Sequence, residues 1–520
     1  MKVYIILILS LFLLLDKIIK KNEDQSPKII PKIIENEDQC LKRPNMDTDE
    51  PFYFAPALRA KLINEGDQFA FPSRCFKRNI ATLKSISDTK ITITLENSES
   101  RSLVCTDLMI FHTSNLNQVK LIAFKGNHEI TFDKVTQDDL DEISINGIKI
   151  YSFCTTISNE INSLITTVKA FLGGLGTDPN NILPIMRPSV PEYMIEANLR
   201  LLKLYTNYVP KRRENKIINI DKNLIKTGDF VAISRMDGID PLIMMGAGGC
   251  LGHTAVCSWM DGELYVLESQ DGWYWPNSGI QRTKWEQWIE WAYNADFNVA
   301  ILPLREEYRK KLDEKKANEW FLNVAEGLNY GYHNYIFSWI DTVDKNFPFV
   351  LTHEIIEFLF SIISYVAPEV SDKFITEAIN IRLKTQGLTL QQAIAEGARQ
   401  GKTFEELLAE PEIEGNIYSD GYNYICSSFV IAFWKHGGLF GDLEINPNEF
   451  SPGDIYTLDI FDKEFNRPQE CIDDNPDLPY CQIMGSFVIY LDNYSTVKPY
   501  SNMNERCPSI GPDFKREEGC

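Results

Sequence analysis

The chain has 520 residues, of which 44% are hydrophobic and 12% aromatic, so it is too apolar for a disordered protein and long enough for more than one core. Its formal net charge of −21 argues against nucleic acid or an anionic membrane surface as the main partner, because both require a basic footprint.

Lys2 precedes an apolar run from Val3 to Leu15, which Asp16-Lys17 and then Lys20-Lys21 close. The run falls short of the roughly 20 apolar residues that a spanning helix needs, and it fits the apolar region of a secretory signal peptide over residues 1–20. A weak small-residue cleavage pattern leaves a short uncleaved anchor as the alternative. A secreted or lysosome-like destination is therefore expected, with no transmembrane domain. Residues 21–50 are charged and interrupted by proline, as in a linker or pro-segment.

From Pro51 the texture is that of a small α+β domain reaching to about residue 215. Ile91-Thr92-Ile93-Thr94-Leu95 alternates like a half-buried strand, and Asn146-Gly147 between apolar runs reads as a two-residue hairpin turn. Ile161, Leu164, Ile165, Val168 and Leu172 recur at helical spacing and stop at Gly173-Gly174; a second helix follows from Pro191 to Tyr205. His112 and His128 stand alone and suggest no chemistry. Pro210-Lys211-Arg212-Arg213 reads as a basic break between domains.

A second domain is expected over residues 222–445. It opens on a strand at Gly228-Asp229-Phe230-Val231-Ala232-Ile233, and a helix is expected over Glu306–Glu326. Residues 345–418 are strongly helical, with Thr403-Phe404-Glu405-Glu406 in the form of a capping box, and read as an insertion that could cover the site. The remainder, 446–520, is a Cys-rich extension with a glycosylation sequon at Asn493-Tyr494-Ser495. In an oxidising compartment Cys40, Cys75, Cys105, Cys154, Cys250, Cys257, Cys471, Cys481, Cys507 and Cys520 can pair, which is compatible with a free Cys426. No C-x-x-C pair occurs, which argues against a structural zinc site; thiol hydrolysis needs no metal or cofactor, and none is expected.

Two stretches carry chemistry. Phe429, Val430, Phe433 and Trp434 keep helical spacing as far as Gly437-Gly438, which puts Cys426 in the first turn, where unpaired amides and the helix dipole favour a thiolate. Upstream, Asp261-Gly262 reads as a two-residue turn with Met260 facing Glu263, so the ladder runs back to His253 opposite Gln270. Glu268 then shares a face with His253 as its diagonal neighbour, about 7 Å away between backbones, within reach of one imidazole nitrogen. A three-residue loop would put Glu268 on the other face, with Gln270 as reserve orienter.

Ile233-Ser234-Arg235-Met236-Asp237-Gly238, Gly252-His253-Thr254-Ala255-Val256, Tyr265-Val266-Leu267-Glu268-Ser269-Gln270 and Tyr424-Ile425-Cys426-Ser427 resemble the circularly permuted papain-like cysteine hydrolases. These are relatives of the NlpC-type peptidases, with YiiX-like proteins and lecithin retinol acyltransferase as neighbours, and the likeness spans about residues 225–445. It implies an α+β permuted papain-like domain with Cys426 as nucleophile, His253 as base and acid, and Glu268 as orienter. It also implies an oxyanion donor at the Cys426 backbone N–H, with Tyr424 and Gln270 as further oxyanion or cleft candidates. The N-terminal domain, the helical insertion and the Cys-rich tail depart from that pattern.

The expected function is a secreted thiol hydrolase acting on a peptide-like amide. The alternatives are a lipid acyl hydrolase or acyltransferase on the same residues, or a binding module on the same scaffold. The glycines at 246–252 lack the Lys-Ser/Thr of a nucleotide loop and precede a strand, so nucleotide binding is rejected. Trp285, Trp288 and Trp291 read as helix packing, with Trp273 and Trp275 just before them. His333, in the aromatic segment Tyr330–Tyr335, is the rival base, while Asp237 and Asp240 read as turn formers.

Overall fold

The computed structural model describes residues 34–35, 40, 50–102, 105–172, 189–247, 249–270, 278–334, 336, 352–410, 412–464 and 467–499. The expected signal peptide, the glycines after Leu172, Trp273 and Trp275, Cys507 and Cys520 all lie outside the described residues. Among the described residues no helix is long and apolar enough to cross a membrane. The chain is α+β and divides into two compact units, one of residues 1–165 with 349–410, the other of residues 166–348 with 411–520.

In the first unit, β1 (Ile34–Glu35), β3 (Gln68–Phe71), β4 (Phe76–Ile86), β5 (Lys90–Ser100) and β8 (Gly126–Asp133) form one sheet in the order β1-β3-β4-β5-β8. A second has the order β2-β9-β6-β7, from β2 (Ala57–Leu62), β6 (Asp107–His112), β7 (Asn117–Ile122) and β9 (Ile148–Ser152). Leu62, Phe111, Ile150, Ile93, Leu95 and Ile130 from the two sheets share one buried cluster. The expected Asn146-Gly147 hairpin is instead a helix end: the helix Gln137–Asn146 stops at Gly147 (φ 67°), and β9 follows directly.

Residues 349–410 group with this first unit and not with the domain that carries Cys426. The reason is a non-local match of charge and shape. Helix His353–Val366 buries Ile355, Ile356, Glu357 and Phe358; Glu357 forms an ion pair with Lys149 of β9, and the two side chains are only 1% and 3% exposed. Tyr151 Oη donates to the Glu354 carbonyl at 3.0 Å, and the Phe358 ring meets His112 edge-on at 5.0 Å. The expected capping box at Thr403 and Glu406 is present.

The second unit is built on a six-stranded antiparallel sheet in the order β13-β12-β11-β10-β14-β17. Its strands are β10 (Phe230–Ser234), β11 (His253–Met260), β12 (Glu263–Gln270), β13 (Gly279–Lys284), β14 (Asn298–Leu302) and β17 (Cys481–Met484). Successive residues of β10 face different cores, as a pleated strand requires. Phe230 and Ala232 pack with Phe429, Val430, Phe433 and Trp434 of helix Cys426–His436, whereas Val231 and Ile233 pack with Trp285 and Trp288 of helix Trp285–Asn294. The sheet is thus covered on both faces, and each helix is fixed by its own apolar cluster.

Four expectations about this unit change. Helix Glu192–Thr206 belongs here, since Leu202 packs with Met236, Met244 and Phe487, and Asn198 donates to the Met236 carbonyl. The basic stretch at 210–213 is tied down rather than a linker: Arg213 N bonds the Ser486 carbonyl and its guanidinium pairs with Asp474 at 2.6 Å. The helix expected over Glu306–Glu326 breaks into Glu306–Arg309 and Glu314–Trp320, because the Asp313 side chain accepts from Lys316 N and starts a new helix. The Cys-rich extension contributes β17 to the central sheet.

Among the described residues the disulfides are Cys40–Cys154, Cys75–Cys105 and Cys471–Cys481, in keeping with an oxidising compartment. Cys426 is free, and so are Cys250 and Cys257, two of the ten cysteines that could pair. Although close in sequence, those two belong to the two different apolar clusters on either side of the sheet.

Candidate functional site

The hairpin β11–β12 sets the site. Asp261 (φ 51°) and Gly262 (φ 81°) occupy the two central turn positions, and Met260 pairs with Glu263. Pairing runs one-to-one to Val256 and Leu267, without the slip that would have sent Glu268 to the other face. His253 Nε2 lies 2.9 Å from Glu268 Oε2, with His253 3% exposed and Glu268 fully buried.

Glu268 is held at its other oxygen as well. Trp288 Nε1, also fully buried, donates to Glu268 Oε1 at 2.9 Å. A buried indole needs an acceptor and a buried carboxylate needs donors, so one contact satisfies both. Helical spacing alone assigns Trp288 to packing. The missed signal is that the Trp288 face of its helix packs on the strand face bearing a buried carboxylate.

Cys426 opens helix Cys426–His436, is 3% exposed, and follows Ile425, which supplies no side-chain cap. The first-turn amides therefore remain available beside the thiol. Three contacts fix the entry of this helix. Asn329-Tyr330 (β15) pairs in parallel with Asn423-Tyr424 (β16), and Ser269 Oγ at the end of β12 donates to the Tyr424 carbonyl at 2.6 Å. Gly331 N donates to that carbonyl at 3.0 Å, and a Cβ at Gly331 would stand 2.7 Å from the Tyr424 carbonyl carbon.

The imidazole of His253 interacts with both Glu268 and the Cys426 thiol. With Nε2 taken by Glu268, Nδ1 is the nitrogen left for the sulfur. Burial alone would lower the imidazole pKa. Hydrogen bonds to Cys426 and Glu268, and then their charges, outweigh it and push the pKa up to about 10. Burial pushes the Cys250 thiol up to about 11 and the Cys257 thiol well above the ordinary thiol range.

The remaining candidates separate. Tyr424 Oη donates to Glu414 at 3.4 Å, and Glu414 also pairs with Lys435 and His436 at the far end of the helix, so this hydroxyl is drawn away from Cys426. Gln270 is 1% exposed, and its Oε1 has no hydrogen-bond partner among the described residues. His333 stacks on Tyr418 at 4.1 Å and lies 3.2 Å from Asn423 Nδ2, not against the thiol. Asp237 is a turn former as expected: its Oδ1 accepts from Ile239 N and Asp240 N, and its other oxygen pairs with Arg235 at 3.1 Å.

No family model, curated protein or solved structure matches this chain.

Proposed function

We propose that this chain is a secreted thiol hydrolase that cleaves a peptide-like amide through an acyl-thioester on Cys426, on a permuted papain-like, NlpC-type scaffold. One arrangement carries the reading: a buried imidazole is held at Nε2 by a buried carboxylate at 2.9 Å, and a free thiol that opens a helix raises its pKa. The reversed chain order, His253 before Glu268 before Cys426, agrees with the permuted group.

The cycle follows from those contacts. The Cys426 thiolate adds to the substrate carbonyl, and the first-turn amides stabilise the resulting oxyanion. Imidazolium at His253 gives its proton to the departing amine as the C–N bond breaks. Water then attacks the thioester, His253 takes its proton, and the acid leaves as the thiolate reforms. Glu268 holds the ring in one tautomer and balances its charge throughout. A panel of fluorogenic amides and esters, comparing wild type with Cys426→Ala, tests this; turnover has to vanish in the variant.

A second reading, a non-catalytic binding module, is favoured by one fact: Cys426 and His253 are each only 3% exposed. Indistinguishable rates for wild type and Cys426→Ala across the panel would select it.

A further inference from the structure

We propose that Gln270 accepts a hydrogen bond from an N–H of the substrate, so that the Cys426 site selects peptide-like acyl groups over hydrocarbon acyl groups. This rests on the thiol-hydrolase reading and adds the substrate class to it.

Gln270 and Glu268 alternate onto the same face of β12. β11 and β12 pair one-to-one as far as Val256 and Leu267, and Gln270 lies three residues beyond that last pair on β12. Its partner on β13 is Gly279, which has no side chain. The Leu328 carbonyl oxygen closes on Gly279, where a Cβ would stand 2.6 Å from it, and the carboxamide lies two residues along the same strand face from the carboxylate that anchors His253. It is 1% exposed, yet Oε1 has no hydrogen-bond partner among the described residues.

A buried acceptor without a donor is costly, and folded proteins leave few of them. Glu268 cannot satisfy this oxygen, since its carboxylate only accepts, from His253 and Trp288, and has no hydrogen to donate. Thr254 Oγ1 and Ser427 Oγ, beside the base and the nucleophile, are also buried and unpartnered. A hydroxyl can donate or accept, so neither of them selects. An amide oxygen accepts only, and that asks for a donor. A peptide-like acyl group carries an N–H next to its reacting carbonyl; a fatty acyl group carries none. A site built around a buried hydrogen-bonding group discriminates strongly against a ligand that leaves it empty.

The test uses the full chain and a pair of acyl chloromethyl ketones, identical except that the acetamido N–H of one is a methylene in the other. The rate of Cys426 alkylation is followed by peptide mapping, with iodoacetamide as a control. Wild type should favour the N–H reagent by about 10- to 100-fold. Gln270→Met should bring the ratio to within about twofold, and Gln270→Glu, which keeps an acceptor, should preserve the preference. Equal rates in wild type, or an undiminished ratio in Gln270→Met, overturn the role of Gln270 while the hydrolase reading stands. If iodoacetamide does not select Cys426 at all, both fall. Should Gln270→Met fail to fold, the wild-type and Gln270→Glu ratios still decide.

Discussion

His253 Nε2 and Glu268 Oε2 lie 2.9 Å apart across neighbouring strands, and the other Glu268 oxygen is fixed by Trp288. In this arrangement Glu268 orients the base, and Trp288 acts through Glu268. Glu268→Gln should lower kcat/KM by about 100-fold or more, by analogy with the effect of exchanging the orienting carboxylate of a catalytic triad for an amide. Trp288→Phe keeps most of the ring but removes the donor, and a loss of about tenfold is expected. Rates of Cys426 alkylation should fall in the same order. Full reactivity in Trp288→Phe would leave the indole a packing role only.

The state of His253 gives a pH prediction. Its folded pKa of about 10 lies above the ordinary value of 6.5, so it contributes stability that is fully present below about 6.5 and is lost as pH rises through about 10. The imidazolium that protonates the departing amine is lost over the same window, and acylation should decline as pH approaches 10. Histidine NMR should show no titration of this ring near pH 6.5 in wild type, and a lower pKa in Cys426→Ala. A wild-type ring that titrates near 6.5 would contradict the assignment.

Gly331 is constrained by closeness. Gly331→Ala places a methyl group 2.7 Å from the Tyr424 carbonyl carbon and 2.8 Å from Ile425 N, both backbone atoms. The chain entering the Cys426 helix has to move, at a cost of about 1–3 kcal/mol. Urea denaturation should register that loss, together with slower Cys426 alkylation. An unchanged midpoint would mean that the helix entry is looser than these contacts describe.

The first unit holds two buried groups with opposite pH signatures. Burial lowers His112 to about 4, so its contribution is present above about 6.5 and is lost as pH falls through 4, worth at most about 3 kcal/mol. Burial, with repulsion from Glu357, raises Glu142 to about 7; its contribution is present below about 4.5 and is lost as pH rises through 7. Hydrogen exchange across β6 should show acid destabilisation that is reduced in His112→Phe. In Glu142→Gln, protection should be retained better than in wild type above pH 7. If neither variant changes the profile, these groups do not control the unit's pH response.

The site was more legible in the sequence than the domain plan, for physical reasons. An Asp-Gly turn and a period of two set the hairpin register over a few residues, which is enough to bring His253 to Glu268. The helical spacing after Cys426 likewise gives the helix and its first turn. Lys149 and Glu357 pair across 208 residues, and no local pattern shows that helix His353–Val366 will bury its carboxylate against β9. The Asn146-Gly147 pair suits a hairpin or a helix end equally, and the preceding helix with its Thr136–Asp139 capping box decides the outcome. A cysteine count likewise could not show that Cys250 and Cys257 lie in separate cores.

The most direct test is iodoacetamide labelling of the native protein near pH 7 with peptide mapping, in wild type and His253→Ala. Cys426 should be alkylated selectively in wild type, with Cys250 and Cys257 unmodified, and that selectivity should disappear in the variant. A Cys426 found in a disulfide, or one that labels no faster than Cys250, would contradict a Cys426–His253–Glu268 hydrolase.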